Sequence, residues 1–228
     1  DGATQLTVAV GGLQAQLPVT VRNAQRAQPI SFRREVVPVL SAAGCSDIRC
    51  HGAPSGKNGF RLSLWGFDPQ SDYRQLARDA FGRRTNAIDP DTSLILLKPL
   101  ARVSHIGGRR FQADSPWAEI LRRWQSEGLR DDPQRGGLQS LTAVPSVRVL
   151  HAPARRQQLA VYAAYEDGQT RDVTRLTQFT ASDLAVADID RTGLVEFKAQ
   201  GETAVLCRFQ GEMTSVRLTH IAAPPADY

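Results

Sequence analysis

The residues of this sequence best suited to chemistry are two cysteines and a histidine in the segment GCSDIRCHG, residues 44–52. Four residues separate Cys45 from Cys50, and His51 follows the second cysteine directly. Two thiols can each add to one vinyl group of a porphyrin while an adjacent imidazole ligates the iron. The usual spacing is two residues, but a longer loop can still reach both vinyls. The segment therefore predicts one covalently attached haem c, held by Cys45 and Cys50, with His51 as the proximal iron ligand.

Two other uses of this segment remain open on the residues alone. A disulfide between Cys45 and Cys50 would suit an exported protein but leaves His51 without a role. A structural zinc ion would need a fourth ligand and usually a second Cys or His pair nearby, which the sequence does not offer. Cys207, the third cysteine, lies on a predicted strand and is expected to be a small buried apolar residue.

The second axial position of a haem iron has a candidate in His105. This residue precedes Ile106, Gly107 and Gly108 in a loop just before the last predicted helix, although a surface histidine without a ligand role is the alternative. Lys98 is the second choice, and Met213 is not expected to ligate because it lies on a distant strand. Without a thioether sulfur on the iron, a comparatively low potential is expected.

Arginines near these loops are candidates for holding the haem propionates, because a guanidinium pairs well with a carboxylate. They need no such role if they are ordinary surface arginines. The four candidates are Arg83, Arg84, Arg109 and Arg110.

Helices are predicted to position this chemistry. The clearest follows the cap Ser115, with Pro116 in its first turn, apolar residues repeating from Trp117 to Trp124 and Gly128 after its end. Three further helices are predicted. The first begins after the cap Ser31 and runs through Leu40 with a kink at Pro38. The second contains Tyr73, Leu76 and Ala80, and the third runs from Leu94 to Leu97. This part of the chain is expected to be small, mostly α and rich in loops.

Strands are predicted on both sides of the helices. Residues 1–23 alternate apolar and polar side chains around Gly11 and Gly12, which indicates a hairpin, and short strands recur after residue 140. The stretch from Gly2 aligns without gaps on the stretch from Gly201, which indicates an internal repeat unless the likeness is fortuitous. The predicted domains are a hairpin remnant of a preceding Ig-like domain at 1–26, a haem domain at 27–130, a linker at 131–139, an Ig-like β-sandwich at 140–222 and a tail at 223–228.

Composition and charge narrow the class of protein. Hydrophobic residues make up 41% and charged residues 22% of the 228 residues, as in soluble globular proteins, and no apolar run is long enough to span a membrane. Between residues 30 and 130 there are 16 Lys and Arg against 10 Asp and Glu, so the positive charge lies in the middle of the chain. Because the basic residues are not clustered with aromatic ones, no nucleic-acid partner is expected.

A resemblance to known families covers most of the chain. The ordered motifs SFRREVVPVLSAAGCSDIRCHG, DPDTSLILLKPL, VSHIGGRRF and SPWAEILRRWQSEG, within residues 30 to 130, resemble the planctomycete-type cytochrome c domain, a family with a CX4CH haem motif. The stretch DGQTRDVTRLTQFTASDLAVADIDRTGLVEFKAQGETAVL is similar to the bacterial Ig-like group 2 domain. The resemblance implies a multidomain α plus all-β fold in which a small, mostly α cytochrome c-like domain is joined to an Ig-like β-sandwich.

The expected function is electron transfer by an exported mono-haem c-type cytochrome, not enzyme catalysis, with the Ig-like domain as spacer or docking module. The resemblance implies a periplasmic, extracellular or cell-surface location, because covalent haem attachment takes place outside the cytoplasm in bacteria. The expected partner is a redox protein, together with a polysaccharide or cell-surface component as a candidate for the Ig-like domain. The alternatives are an Ig-like carbohydrate- or protein-binding scaffold in which haem is secondary, and a haem-based sensor or peroxidase with an open sixth iron site.

Overall fold

The computed structural model describes residues 1–25, 28–133 and 136–222. The predicted tail, 223–228, lies outside the described residues, as do residues 26–27 at the end of the predicted hairpin domain and residues 134–135 of the predicted linker. In the described ranges, no helix is both long and apolar enough to cross a membrane.

The predicted N-terminal hairpin is present. Strands β1 (Gly2–Val10) and β2 (Leu13–Val21) form nine antiparallel pairs, from Gly2 opposite Val21 to Val10 opposite Leu13. Gly11 and Gly12 form the turn at φ values of 55° and 82°, which glycine adopts without the steric cost of a side chain. Nearly every side chain of this hairpin is exposed on both faces.

Residues 28–133, here called the central segment, contain the α-helices. These are α1 (Val37–Ala42), α2 (Pro69–Ala77), α3 (Leu94–Leu97) and α4 (Pro116–Ser126). A π-helical turn (Phe32–Val36) and 3-10 turns (Leu64–Gly66, Asp79–Gly82, Pro90–Thr92) complete the segment.

The core of the central segment forms around α4, as its apolar periodicity predicts. Ser115 caps this helix by accepting a hydrogen bond from the backbone of Ala118 at 3.3 Å. Trp117, Leu121 and Trp124 lie on its buried face and join one apolar cluster with residues of the other helices. The Trp124 ring packs against Phe32, with the ring centroids 5.1 Å apart.

Residues 136–222, here called the β module, form the rest of the described chain. Its ten strands are β3 (Leu138–Val144), β4 (Val147–His151), β5 (Arg156–Gln158), β6 (Ala160–Tyr165), β7 (Thr170–Asp172), β8 (Gln178–Ala181), β9 (Ala187–Ile189), β10 (Leu194–Phe197), β11 (Gly201–Phe209) and β12 (Glu212–Ile221). They form three sheets in the orders β5-β10-β9, β4-β12-β11-β8 and β3-β6-β7. The inward side chains of all three meet in one apolar core.

The prediction of an α plus all-β chain with a small, mostly α cytochrome c-like domain is wrong. Within the described ranges the chain is predominantly β, with 34% strand in four sheets and only four short helices. The helices lie where the sequence predicted them, but each observed helix contains few residues. Backbone at positive φ ends them early: Gly44 follows α1, Ala80 lies beyond the end of α2 at φ 53°, and Gly128 follows α4. Pro38 begins α1 after the π-helical turn, where the sequence predicted a kink within one helix.

The central segment and the β module are in direct contact. Arg34, which is 3% exposed, donates to the Asp167 carboxylate at 2.8 Å and to the Gly136 carbonyl at 2.6 Å, and its guanidinium lies over the Tyr165 ring at 3.9 Å. An arginine buried in this way must keep these partners, because an unpaired buried charge is costly. The contact fixes how the two regions face each other.

Candidate functional site

The two cysteines and the histidine lie in a compact loop that begins at the end of α1. The Cys45 amide donates to the Leu40 carbonyl at 2.8 Å, which places the first thiol directly at the end of the helix. The chain then folds back, so that the His51 amide donates to the Cys45 carbonyl at 3.0 Å and the Cys50 amide to the Asp47 carbonyl at 2.9 Å. These bonds bring Cys45 next to the adjacent pair Cys50 and His51.

The His51 ring is held in one orientation. Its Nδ1 lies 3.0 Å from the Phe60 carbonyl oxygen, which can only accept, so Nδ1 carries the proton and the Nε2 lone pair is left free in the neutral ring. The Phe60 ring packs on the imidazole with centroids 4.5 Å apart, and the Leu62 amide donates to the His51 carbonyl at 2.8 Å. A hydrogen bond of this kind, from one ring nitrogen to a carbonyl oxygen, fixes the tautomer of a metal-ligating histidine.

Burial and charge keep His51 neutral. Burial lowers the pKa of this imidazole, and the hydrogen bond to the Phe60 carbonyl opposes that effect without reversing it. His105, Arg84 and Lys98 lower the pKa of His51 further. A neutral imidazole with a free Nε2 is the form that binds a metal ion.

The two thiols are free and partly buried, and they are not bonded to each other. Burial raises the pKa of the Cys45 thiol to about 11, although Arg110 and Arg191 act in the opposite direction. Cys45 is therefore a neutral thiol at physiological pH.

Both candidates for the sixth ligand, His105 and Lys98, act electrostatically on His51 and lower its pKa. The Nδ1 of His105 donates to the Gly108 carbonyl at 2.9 Å, so its Nε2 is also free, and the ring is partly exposed. The Lys98 amine donates to the Ser104 carbonyl at 2.9 Å and would have to give up that bond to reach another partner. Of the two, His105 has the freer donor atom.

The four arginines proposed as propionate partners occupy different environments. Arg83 and Arg109 are exposed. Arg84 is 9% exposed and donates to the carbonyls of Gln75 at 2.6 Å and Gly59 at 2.7 Å, with its guanidinium 4.7 Å from the centre of the Phe60 ring. It therefore supports the ring that packs on His51.

Arg110 has a positioning role that the sequence did not indicate. It donates to the Ala43 carbonyl at 2.6 Å and to the Gly107 carbonyl at 3.4 Å, so it connects the end of α1 with the His105 loop. A side chain at Gly44 would collide with this guanidinium, and Gly44 also lies at φ 75°, which explains a glycine just before Cys45. In the sequence only the glycine at position 44 could have indicated this contact, since Arg110 lies far from it along the chain.

The donor set fits a covalently held haem. It comprises two free thiols, a neutral imidazole with a fixed tautomer, and a second imidazole, that of His105, whose Nε2 is free. Exposed apolar side chains, Ile48, Val103 and Ile106, lie on the same two loops and suit a flat apolar group. Elsewhere in the described ranges, and at this loop too, no three His, Cys, Asp or Glu side chains are gathered so as to hold a bare metal ion.

Comparison with known proteins places the chain in no family. Neither a protein-family model nor a curated protein matches it. Among solved structures, domains 1–6 of the surface layer protein SbsC have 13% identity and a TM-score of 0.33, over 40% of this chain and 14% of that one. Domains 5–6 of SbsC give the same identity and TM-score over 40% of this chain and 47% of that one. An endo-beta-1,4-mannanase from Thermotoga petrophila has 15% identity and a TM-score of 0.21, over 51% of this chain and 26% of that one.

These findings overturn the family assignment made from the sequence. Identification as a planctomycete-type cytochrome c domain followed by a bacterial Ig-like group 2 domain is wrong, since no family model matches and the described chain is mostly β. The motifs that carried the resemblance are short: three of them contain the short helices α1, α3 and α4, and VSHIGGRRF lies in a loop. What remains for function is the local geometry of the residues themselves.

Proposed function

We propose that this chain binds one haem covalently through Cys45 and Cys50, with His51 as an iron ligand, and that it transfers electrons. The observation that carries the proposal is the orientation of His51, whose Nδ1 is bound to the Phe60 carbonyl and whose Nε2 is free, beside two unbonded thiols. When bound, a haem would supply an iron that alternates between two oxidation states.

The protein residues have separate tasks in this proposal. Cys45 and Cys50 would anchor the porphyrin edge, and the neutral state of His51 keeps its Nε2 ready to bind iron without prior loss of a proton. Phe60 and Arg84 hold the imidazole ring in place. No side chain is required to move a proton, which agrees with electron transfer as the proposed reaction.

The decisive experiment is expression in a bacterium with a periplasmic haem-attachment system. The purified protein is denatured, and its pyridine haemochrome spectrum and intact mass are recorded. A c-type spectrum together with one haem of added mass that survives denaturation is the expected result. A protein without covalent haem, carrying a Cys45–Cys50 disulfide, would overturn the proposal.

Variants of the three residues, with matched controls, test the role of each residue in haem attachment. Cys45→Ala and Cys50→Ala should each reduce the number of thioether bonds, and His51→Ala should abolish the proximal ligand. The third cysteine and an exposed histidine provide controls, because Cys207→Ala and His151→Ala alter the same residue types far from the site. Loss of covalent haem in the control variants would show that folding, not attachment, is being measured.

The sixth ligand is tested by His105→Ala and Lys98→Ala. The first should convert a low-spin haem spectrum to a high-spin one, because the free Nε2 of His105 is the better placed donor. The second should leave the spectrum unchanged. A wild-type spectrum that changes on addition of carbon monoxide would favour the alternative function of a sensor or peroxidase over electron transfer.

The location and partner belong to the same proposal. We place the protein in the periplasm or at the cell surface, with another redox protein as its electron partner. Two of its structural neighbours are surface layer proteins, but a TM-score of 0.33 gives this location no support. Detection of haem-bearing protein in the cytoplasmic fraction alone would contradict the location.

A further inference from the structure

A cleft of about 470 Å³ lies where the central segment meets the β module. Its floor is the outer face of the sheet β8-β11-β12, whose outward side chains there are Thr180, Leu206, Arg208 and Met213. One wall is the loop of the central segment that carries Asp47 and Trp65, and the far end is formed by Trp117, Ile189, Asp190 and Arg191. Clefts of this size at domain boundaries, lined by aromatic and a few polar groups, are common ligand sites.

Two arginines in the cleft have no anionic partner. Arg208 lies on the face of Trp65 with its guanidinium carbon 3.6 Å from the ring centre, and Arg191 lies 5.6 Å from the ring centre of Trp117. Among the described residues neither arginine forms an ion pair, although eight other arginines and one lysine do. Arg191 donates one N–H group to the Arg110 carbonyl at 2.9 Å, and Arg208 donates one to the Met213 sulfur at 3.2 Å. Each stacked guanidinium still has further in-plane N–H groups that can donate to a carboxylate.

Trp65 is the unusual tryptophan of the three. The indole N–H groups of Trp117 and Trp124 donate to the carbonyls of Arg175 and Arg130 at 2.9 Å each, whereas that of Trp65 donates to no described residue. Trp65 also has φ 56° and ψ 19°, a left-handed conformation that is strained for a bulky residue. Such strain is retained mainly at functional positions.

The backbone around Trp65 explains how this conformation is held. Gly66, at φ 79°, lies against Val37 of α1 so closely that a Cβ atom would collide with it. The Trp65 amide also donates to the Ser46 carbonyl at 3.2 Å. These contacts hold the backbone of Trp65 in place where its indole lines the cleft.

The cleft also contains two carboxylates that can accept hydrogen bonds and that form no ion pair with Arg191 or Arg208 among the described residues. One oxygen of Asp47 accepts from the Arg49 backbone amide and side chain at 2.8 and 3.2 Å, and one oxygen of Asp190 accepts from Thr192 and Leu194. The second oxygen of each aspartate accepts no hydrogen bond from the described residues, so it can accept from a hydroxyl group.

We propose that this cleft binds an acidic saccharide, with sugar carboxylates on Arg191 and Arg208, the apolar side of a sugar ring against the exposed part of the Trp65 indole that Arg208 does not cover, and sugar hydroxyls on Asp47 and Asp190. A saccharide is the class of ligand that presents an apolar ring face, several hydroxyls and, when uronic, a carboxylate on one short molecule. A plain apolar ligand would leave both arginines unpaired, and a small inorganic anion would leave the aromatic surface unused. The site does not depend on haem.

The test uses trigalacturonate as the probe, with its fully methyl-esterified form as a control of the same shape without charge. Binding to the full chain is followed by tryptophan fluorescence and by calorimetry, in the wild type and in the Cys45→Ala, Cys50→Ala double variant. Saturable binding of the acidic trisaccharide to both proteins is expected, and the esterified form should bind at least about tenfold more weakly because it lacks the charge-assisted bonds.

Variants locate the binding. Arg208→Ala and Arg191→Ala should each raise the Kd about tenfold or more. Arg208→Lys keeps the positive charge and should disturb folding less than Arg208→Ala. It should also weaken binding, because lysine cannot stack on the indole or form two parallel hydrogen bonds to a carboxylate. Arg156→Ala is the matched control, because Arg156 is paired with Glu196 and does not line the cleft.

Three results would overturn the proposal. They are the absence of saturable binding to the folded wild type, equal binding of the acidic and esterified probes, and unchanged affinity in folded Arg208→Lys and Arg191→Ala proteins. If haem fails to attach while trigalacturonate still binds, only the proposed electron-transfer function is lost. If haem attaches and the saccharide does not bind, only this inference is lost.

Discussion

The hairpins β1–β2 and β11–β12 have the same construction in different surroundings. Each has nine cross-strand pairs around a two-residue turn, so that Gly2 faces Val21 as Gly201 faces His220. The internal repeat noted in the sequence is therefore matched pair for pair in the structure. In the β module, β12 and β11 have neighbours on both sides, β4 and β8, whereas β1 and β2 pair only with each other within the described chain.

Equivalent apolar positions differ in exposure. Leu6, Val8 and Val10 are 53%, 53% and 73% exposed, whereas their counterparts Val205, Cys207 and Phe209 are 0%, 0% and 1% exposed. The alternation of apolar side chains is the same in the two hairpins, and only the second is covered by another sheet. The alternating pattern thus specifies which face of a hairpin can be buried, while burial itself depends on a partner.

The outer edges of the two hairpins also differ. In the β module the Arg217 amide donates to the Ser146 carbonyl at 3.0 Å, beside the parallel pairing of β12 with β4. The equivalent residue of the first hairpin is Pro18, which has no N–H to donate. A proline on an outer edge prevents a further strand from pairing at that point. The edge of β2 is therefore less able to extend its sheet than the edge of β12.

The largest contrast is expected for Phe209→Ala against Val10→Ala. Phe209 is 1% exposed in the core of the β module, so its truncation should lower the free energy of unfolding by about 3–5 kcal/mol. Val10 is 73% exposed, and its truncation should change that free energy by less than about 0.5 kcal/mol. Urea unfolding followed by circular dichroism measures both. Similar losses in the two variants would show that the first hairpin is covered after all.

A smaller contrast is expected for Cys207→Ser against Val8→Ser. Cys207 is 0% exposed and lies in the apolar core, so a hydroxyl there should cost about 1–3 kcal/mol of stability for want of a good partner. Val8, its counterpart, is 53% exposed, and the same hydroxyl should remain hydrated. The comparison is made by thermal unfolding of the two variants. A neutral Cys207→Ser variant would indicate that the core admits water at this position.

These contrasts show how far the sequence could predict the fold. Local patterns were reliable: α4 with its Ser115 cap and the pairing of the N-terminal hairpin follow from short-range periodicity and turn residues. The prediction of a mostly α domain was wrong, because the spacing of apolar residues indicates where a helix lies better than it indicates how long the helix is. Positive φ at Gly44, Ala80 and Gly128 confined the helices to short spans and left turns between them.

The candidate site was predictable to a similar extent. Cys45, Cys50 and His51 could be found because they are adjacent in sequence. The hydrogen bond from His51 to the Phe60 carbonyl and the bridge formed by Arg110 could not be foreseen, since both depend on loops that meet only after folding. The cleft between the central segment and the β module was missed for the same reason, because its residues come from distant parts of the chain.

The turns of the two hairpins offer a third, smaller contrast. Gln210 lies at φ 54° where the first hairpin has Gly11 at φ 55°, and its side chain donates to the Arg33 carbonyl at 2.9 Å. Gln210→Ala keeps the strained backbone and loses that bond, so it should cost about 0.5–1.5 kcal/mol. Gln210→Gly should cost less, because glycine relieves the strain. Gly11→Ala, which adds strain to the exposed hairpin, should leave global unfolding unchanged, as measured by urea denaturation.

The smallest effect is expected from deleting residues 1–23. Two strands with no covering layer are marginally stable by themselves, so they should contribute almost nothing to the cooperative unfolding of the other regions. The deletion variant should unfold within about 0.5 kcal/mol of the full chain, and native-state hydrogen exchange should show fast amides in β1–β2 beside slow ones in β11–β12. If deletion cost several kcal/mol, or if β1–β2 amides exchanged as slowly as those of β11–β12, the apolar face of the first hairpin would be buried in solution. Since the two hairpins share one register and one alternation, such a result would mean that both have a covering partner, and the contrast in exposure between Val10 and Phe209 would no longer hold.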